Sequence, residues 1–354
     1  THLSKEYVIG CSSPLTGDGA NYGRSVKEGV ELALQEINEE KFLDSPLTII
    51  FEDDKMDPRE GVNAITKLIN VDKVPVIIGP FGSSIVLSTS PIAEKNKTII
   101  ISASATADDI KDAGDFIFRI TPPNSKQGSD IASFCYDKLN CKTAAVLFQN
   151  NDYGITLKNS FENTFTELGG KITSSDGVIL NTSNLSTQLL SIKGNKPDVV
   201  FFPLHYKESG LMLKQAKEIG LNSYFISADG AMTEDMLKIA GNSAEGSFYS
   251  TLALGYGKAD DEIKDFENLF YKKFAKEPDI YNAYYYEVTW IVANALKNAG
   301  TDSEKIKNYL YSLSGDNCYY GITGETCFDK NGEVDKAFYI YEVIKGKYEL
   351  SEKN

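Results

Sequence analysis

The sequence predicts a doubly wound α/β chain folded in two lobes. Three observations carry that expectation. Strand-like and helix-like segments alternate along most of the 354 residues, the pattern of helices layered on a parallel sheet. The strand-like pieces are short, continuous apolar runs, as strands buried on both faces require. The alternation also restarts after a break at Thr121-Pro122-Pro123-Asn124, in a chain long enough for two domains.

Tyr7–Cys11 reads as the first strand. A helix follows, with Val26, Val30, Leu34 and Ile37 on one face,. Leu47–Phe51 is the second strand. Asp57 then caps a helix with Pro58 at its first position and Glu60 at its third. Val76–Ile78 and Thr98–Ile101 are buried strands, with a helix near Ile85–Lys95 between them. Past the break, Ala144–Phe148, Val199–Phe202 and Tyr224–Ile226 are strands. Gly154–Leu168 and Tyr206–Ile219 are helices, stopped by Gly169-Gly170 and by Gly220,. Helices run from Asp260 to Leu313, and strand-like pieces near Phe338–Ile344 close the chain.

Composition narrows the function. The net charge is −14 with three arginines, Arg24, Arg59 and Arg119, whereas a nucleic-acid partner calls for a basic face. No apolar run approaches the length of a membrane span. Thr1 opens a polar stretch, so a secretion signal is expected to be absent or already removed. "VIGC" is similar to a lipoprotein cleavage box but lacks a charged, apolar leader; Cys11 is expected as a small buried residue ending the first strand. Cys135 with Cys141, and Cys318 with Cys327, suit local disulfides and hence a compartment outside the cytoplasm. The alternative is that all are reduced packing residues.

Ligands of open α/β sheets bind outside the carboxyl ends of strands. Here those loops carry Ser83, Ser104, Thr106, Tyr153, His205 and Asp229. Ser83 and Ser84 open a helix, whose free amides and positive dipole end suit an anion. Thr106 reads as opening the next helical turn; its plain role is capping. Two neighbouring hydroxyl-rich strand ends can together hold one carboxylate, while Asp108 and Asp109 argue against phosphate. Asp229 before Gly230 is either a turn former or a partner for an ammonium group. Asp152 is expected to cap its helix and leave Tyr153 pointing at a ligand. A carboxylate site in one lobe and an acid in the other describe a zwitterion.

Enzyme readings fare poorly. "GDGANYG" misses the dinucleotide fingerprint by one residue, and no acid stands at the usual distance beyond it. Zinc needs several His or Cys ligands, and the only histidines are His2, in the tail, and His205. No G-x-S-x-G is present for a hydrolase. His205 is expected to pack or to donate a hydrogen bond in the pocket. The cluster "YNAYYYEVTW" reads as helix packing, apart from Tyr281.

"SSPLTGDGANYGRSVKEGVELALQEIN", "DDKMDPREGV", "IIGPFGSS", "ISASAT", "NNDYG" and "IAGNSAEG" resemble, in order and spacing, the leucine/isoleucine/valine-binding proteins, solute receptors of amino-acid ABC transporters. The resemblance covers nearly the whole chain. It implies a type I periplasmic binding protein fold with three crossovers, near residues 121–124, 250–254 and 326–330. The lobes would be 1–121 plus 254–327 and 122–253 plus 328–354, closing on a ligand held between them. Ser83 and Thr106 would bind the ligand α-carboxylate, and the Ser104 backbone would join a main-chain clamp. Asp229 would bind the α-ammonium. Tyr22, Tyr153 and Tyr281 would be pocket aromatics, and Phe81 adds bulk beside the anion loop. His205 stands where the family often has an aromatic. Met56 and Gly82 replace a cysteine pair that some members carry. The implied partners are a free α-amino acid, branched-chain or similarly apolar, and ABC permease subunits. Further implications are an extracytoplasmic location, a monomer, no cofactor, no metal, no catalysis, and membrane association only through a lipid anchor if any. The same module also resembles receptor ectodomains, which leaves ligand sensing for a signalling partner as an alternative, as is the binding of another small carboxylate such as an aromatic acid.

Overall fold

The structure, a computed structural model, describes residues 6–252 and 260–353. His2 and residues 253–254 of the expected second crossover lie outside them. In chain order the elements are β1 (Tyr7–Ser13), α1 (Ala20–Glu39), β2 (Leu47–Asp53), α2 (Pro58–Asn70), β3 (Val76–Ile78), α3 (Ser83–Asn96), β4 (Ile99–Ser102) and β5 (Ile117–Arg119). Then come α4 (Asn124–Ser133), β6 (Thr143–Gln149), α5 (Asp152–Glu167), β7 (Lys171–Val178), α6 (Ser186–Asn195), β8 (Val199–Phe201), α7 (Tyr206–Glu218), β9 (Tyr224–Ala228), α8 (Glu234–Ala240) and β10 (Phe248–Leu252). The chain ends with α9 (Asp260–Phe274), α10 (Ile280–Ala299), α11 (Ser303–Ser312), β11 (Tyr319–Gly321), β12 (Gly324–Thr326), β13 (Phe338–Ile344) and β14 (Lys347–Leu350).

The chain divides into two compact units, 1–122 with 254–336, and 123–253 with 337–354. The third passage thus follows Lys336, beyond the expected 326–330. The first unit holds a parallel sheet of order β2-β1-β3-β4-β5. Its β3 and β4 are wholly buried, as their unbroken apolar runs require. Helix α2 starts where its cap dictates: Asp57 Oδ1 accepts from the amides of Arg59 (2.8 Å) and Glu60 (3.2 Å), with Pro58 next to it,. Helix α10 is apolar nearly all round and mostly buried. It lies so close to α1 that a Cβ at Gly29 would sit 2.3 Å from the Asn282 carbonyl oxygen. Asn282 in turn donates to the Ser25 carbonyl at 2.9 Å.

The second unit holds a sheet of order β14-β13-β10-β9-β8-β6-β7. Strands β6 to β10 pair in parallel, and β13 and β14 add antiparallel strands at one edge. Edge strand β7 is half-polar, so it offers no apolar run by which to recognise it. The core of this unit gathers Ile131, Leu157, Phe161, Phe165, Phe201 and Phe248 with Cys135 and Cys141.

The cysteine expectation is half corrected. Cys318 and Cys327 form a disulfide across the β11–β12 hairpin, and Cys11 is free and buried within β1. Cys135 and Cys141, however, are free thiols. Cys135 lies on a π-helical turn over Phe134–Lys138 that continues α4, and both side chains enter the hydrophobic core as packing residues. Burial pushes the Cys141 thiol up to about 12.

Candidate functional site

In the first unit, the loops after β3 and β4 are tied together by hydroxyls. Ser83 Oγ accepts from the amides of Thr106 and Ala107, both at 3.1 Å. A hydroxyl has two lone pairs and one proton, so those amides occupy its lone pairs and leave its proton to donate. Thr106 is 1% exposed, and its Oγ1 has no hydrogen-bond partner among the described residues. Its expected capping role is not seen: the helical turn there begins at Asp108, after Ala107. Ser83 does open α3, whose first amides lack intrahelical acceptors,. Ser104 is otherwise engaged. Its hydroxyl donates to the Phe81 carbonyl at 2.9 Å and lies 2.8 Å from the Tyr285 hydroxyl, and its amide meets Ser102 Oγ at 3.4 Å.

Aromatic rings pack beside these loops. Tyr22 stacks on Phe81 with centroids 4.5 Å apart, and Tyr281 meets both edge-on at 5.5 and 4.9 Å. Two contributors escape sequence reasoning. Tyr285 sits one helical turn after Tyr281, a spacing that puts both on one face. Arg119, wholly buried, donates from Nη1 to the carbonyls of Ala107 (2.8 Å) and Ala105 (3.4 Å) and forms a two-pronged ion pair with Glu333. A lone arginine inside the apolar strand "IFRI" is the signal that could have found it.

In the second unit, Tyr153, His205 and Asp229 are all buried. Helix α5 is capped by Asn151, not Asp152: the Asn151 side chain accepts from Gly154 N at 3.0 Å, because Asn151 holds the extended backbone that a cap needs,. The Tyr153 ring stacks on His205 at 5.5 Å, and its hydroxyl accepts from the Gly230 amide at 3.0 Å. His205 precedes α7. Burial lowers its pKa to about 4, so the ring is neutral near pH 7, with Nε2 3.1 Å from Asn151 Nδ2. Asp229 follows β9 on a 3-10 turn. Burial raises its pKa to about 6, offset by hydrogen bonds from Gln127, the amides of Asp229 and Gly230, and Tyr153.

Residues 6–347 match the family model described as periplasmic binding protein. The chain belongs to the periplasmic binding protein family. Among the relatives of this family member is a Leu/Ile/Val-binding protein homolog 2 of Brucella abortus, 27% identical over 348 residues, 97% of this chain and 91% of that protein. The branched-chain amino acid transporter substrate binding protein LivJ of Streptococcus pneumoniae, solved in complex with isoleucine, superposes with a TM-score of 0.91. It is 27% identical, with 98% of each chain covered. A solute binding protein of an ABC transporter from Rhodopseudomonas palustris, solved with 3,4-dihydroxy benzoic acid, gives a TM-score of 0.86 at 23% identity, covering 97% of this chain and 95% of that one. That likeness speaks for the fold alone. The architecture is the type I periplasmic binding protein fold, two mostly parallel sheets with flanking helices.

Proposed function

We propose that this periplasmic binding protein is an extracytoplasmic receptor for a free α-amino acid with a branched-chain or similarly apolar side chain. It closes its two lobes on the ligand and hands it to the permease of an ABC importer, as a monomer and without chemistry on the ligand. The observation that carries this reading is the pair of donor hydroxyls on the first unit. Ser83 has its lone pairs occupied by two amides, and Thr106 is buried without a partner among the described residues. Both are suited to an incoming carboxylate. On the second unit, Asp229 supplies the acid for the ammonium. Its ionisation is opposed by burial and would be favoured by a bound cation. The relatives that bind branched-chain amino acids support the choice of side chain. Micromolar binding corresponds to about 8 kcal/mol, within reach of charge-assisted hydrogen bonds plus apolar burial.

Calorimetry against the common amino acids, with 3,4-dihydroxybenzoate alongside, tests the reading. Saturable binding of leucine, isoleucine or valine is the expected result, with a smaller scattering radius at saturation. Binding of dihydroxybenzoate and of no amino acid would replace this reading with an aromatic-acid receptor that uses the stacked Tyr153 and His205 rings.

A further inference from the structure

The acid of the second unit has a neighbour that sequence reading does not single out. Gln127, on α4, is wholly buried. Its Nε2 donates to the carbonyl of Ser250, in β10, at 2.9 Å, and its side chain also hydrogen-bonds to Asp229. A backbone carbonyl only accepts, so Ser250 fixes the amide with its nitrogen towards β10. That nitrogen carries two protons, and the one Ser250 does not take is presented to the Asp229 carboxyl. The same arrangement leaves Gln127 Oε1 buried with no hydrogen-bond partner among the described residues. An unmet buried acceptor costs stability, so packing alone gives no reason for an amide here.

We propose that Gln127 is a positioning residue of the amino-acid site, tied to β10 through one amide proton and holding the Asp229 carboxylate for the ligand ammonium with the other. This role rests on the reading of Asp229 as the acid that meets the ammonium. An N–H donor favours the ionised carboxyl over the acid. Gln127 thereby works against burial, which raises the Asp229 pKa to about 6. Of the ionisable groups around Asp229, Tyr153 of α5 adds a hydrogen bond of its own. His205, stacked on Tyr153 ahead of α7, is uncharged near pH 7, because burial lowers its pKa to about 4. The groups on the packed elements are engaged elsewhere. On α7, Glu208 accepts from the Asn181 amide at 2.7 Å and Lys207 donates to the Asn181 side chain at 3.2 Å. On β10, the Tyr249 hydroxyl lies 2.9 Å from Ser247 Oγ, and on α8, Asp235 pairs with Lys238 at 3.3 Å.

Carbon NMR of the aspartate carboxyls in the ligand-free protein reads Asp229 directly, with Asp229→Asn to identify its signal. Gln127→Met should move the Asp229 midpoint up by about one pH unit, the loss of one hydrogen bond to a charged group. Gln127→Glu serves if Gln127→Met folds poorly, and should move the midpoint further, because two facing carboxyls do not both ionise readily. Leucine calorimetry should find Gln127→Met weaker by about fivefold at about pH 6 and near parental at about pH 8.5, where Asp229 is ionised in either chain. A residue that merely packed would lower affinity equally at both. An unmoved Asp229 midpoint in the folded variants, or a loss of affinity independent of pH, would overturn the role of Gln127. Should the parent bind no amino acid, the reading of the site falls, and the carboxyl titration alone decides whether Gln127 holds Asp229.

Discussion

Thr106 holds its hydroxyl away from water and without an acceptor among the described residues, which costs the empty protein stability. Thr106→Val keeps the shape and removes that cost. We expect an unchanged or raised melting temperature together with amino-acid affinity lowered about tenfold. Ser83→Ala should behave oppositely in the melt, because it orphans the amides of Thr106 and Ala107, at about 1–3 kcal/mol. Thermal melts beside calorimetry separate the two. Asp229→Ala would leave a bound ammonium unmatched and should cost about 3–5 kcal/mol of binding, with Asp229→Asn milder. The pH dependence follows from the folded pKa of about 6 against an ordinary 3.8. Between those values the folded chain keeps a proton that the unfolded chain has released, so stability falls as pH rises through the window, by about 3 kcal/mol in all. Asp54, also raised to about 6, adds a slope of the same sign, so the parent and Asp229→Asn must be compared. Urea unfolding across the window should give the variant the flatter profile. Amino-acid affinity should rise through the same window in the parent alone, since a bound ammonium favours the ionised carboxyl.

The segment Ala105–Ala107 is an element without regular structure; serine hydroxyls hold its amides, and Arg119 holds its Ala105 and Ala107 carbonyls. Arg119→Met would orphan two carbonyls and strand Glu333, which we expect to cost about 3–5 kcal/mol in urea unfolding. Arg119→Lys should recover little of this, because a point charge cannot replace the planar fork. The cysteines give a sharper check. Denatured, unreduced protein should alkylate at Cys11, Cys135 and Cys141 alone, the folded protein at none of them since all three are buried, and mass spectrometry counts the labels. The Cys318–Cys327 link closes a short loop and should contribute about 2–3 kcal/mol. These elements also mark how far the sequence was readable. The Asp57 cap and the buried β3 and β4 lie within a few residues of their own signals. The hydroxyl-rich loops were visible as candidates because strand ends are where parallel sheets expose amides. Arg119 reaches Glu333, more than two hundred residues away, and nothing local announces that pairing. Cys135 and Cys141 show the converse: close spacing says nothing about whether two side chains enter a core, and these do.

At the scale of the molecule, the second unit depends on the last stretch of chain. Strand β13 pairs with all of β10, from Phe248 opposite Glu342 to Leu252 opposite Phe338, and every residue of β10 is buried. A chain ending at Lys336 would turn that central strand into a flat apolar edge, a template for association between copies. We expect such a chain to aggregate or to melt well below the parent, read by sedimentation and thermal unfolding. A soluble monomer with the parental melting temperature would show that the second unit closes without its last two strands.

The passages between units set a timetable for synthesis. Helix α1 is complete at Glu39, yet its partner α10 ends only at Ala299. Between the two, the whole run from α4 to β10 must emerge and belongs elsewhere. Until α10 arrives, the face of α1 around Gly29 has no partner. The nascent chain therefore cannot finish the first unit before most of the second has been made, and the first unit stays open to chaperones until α10 has emerged.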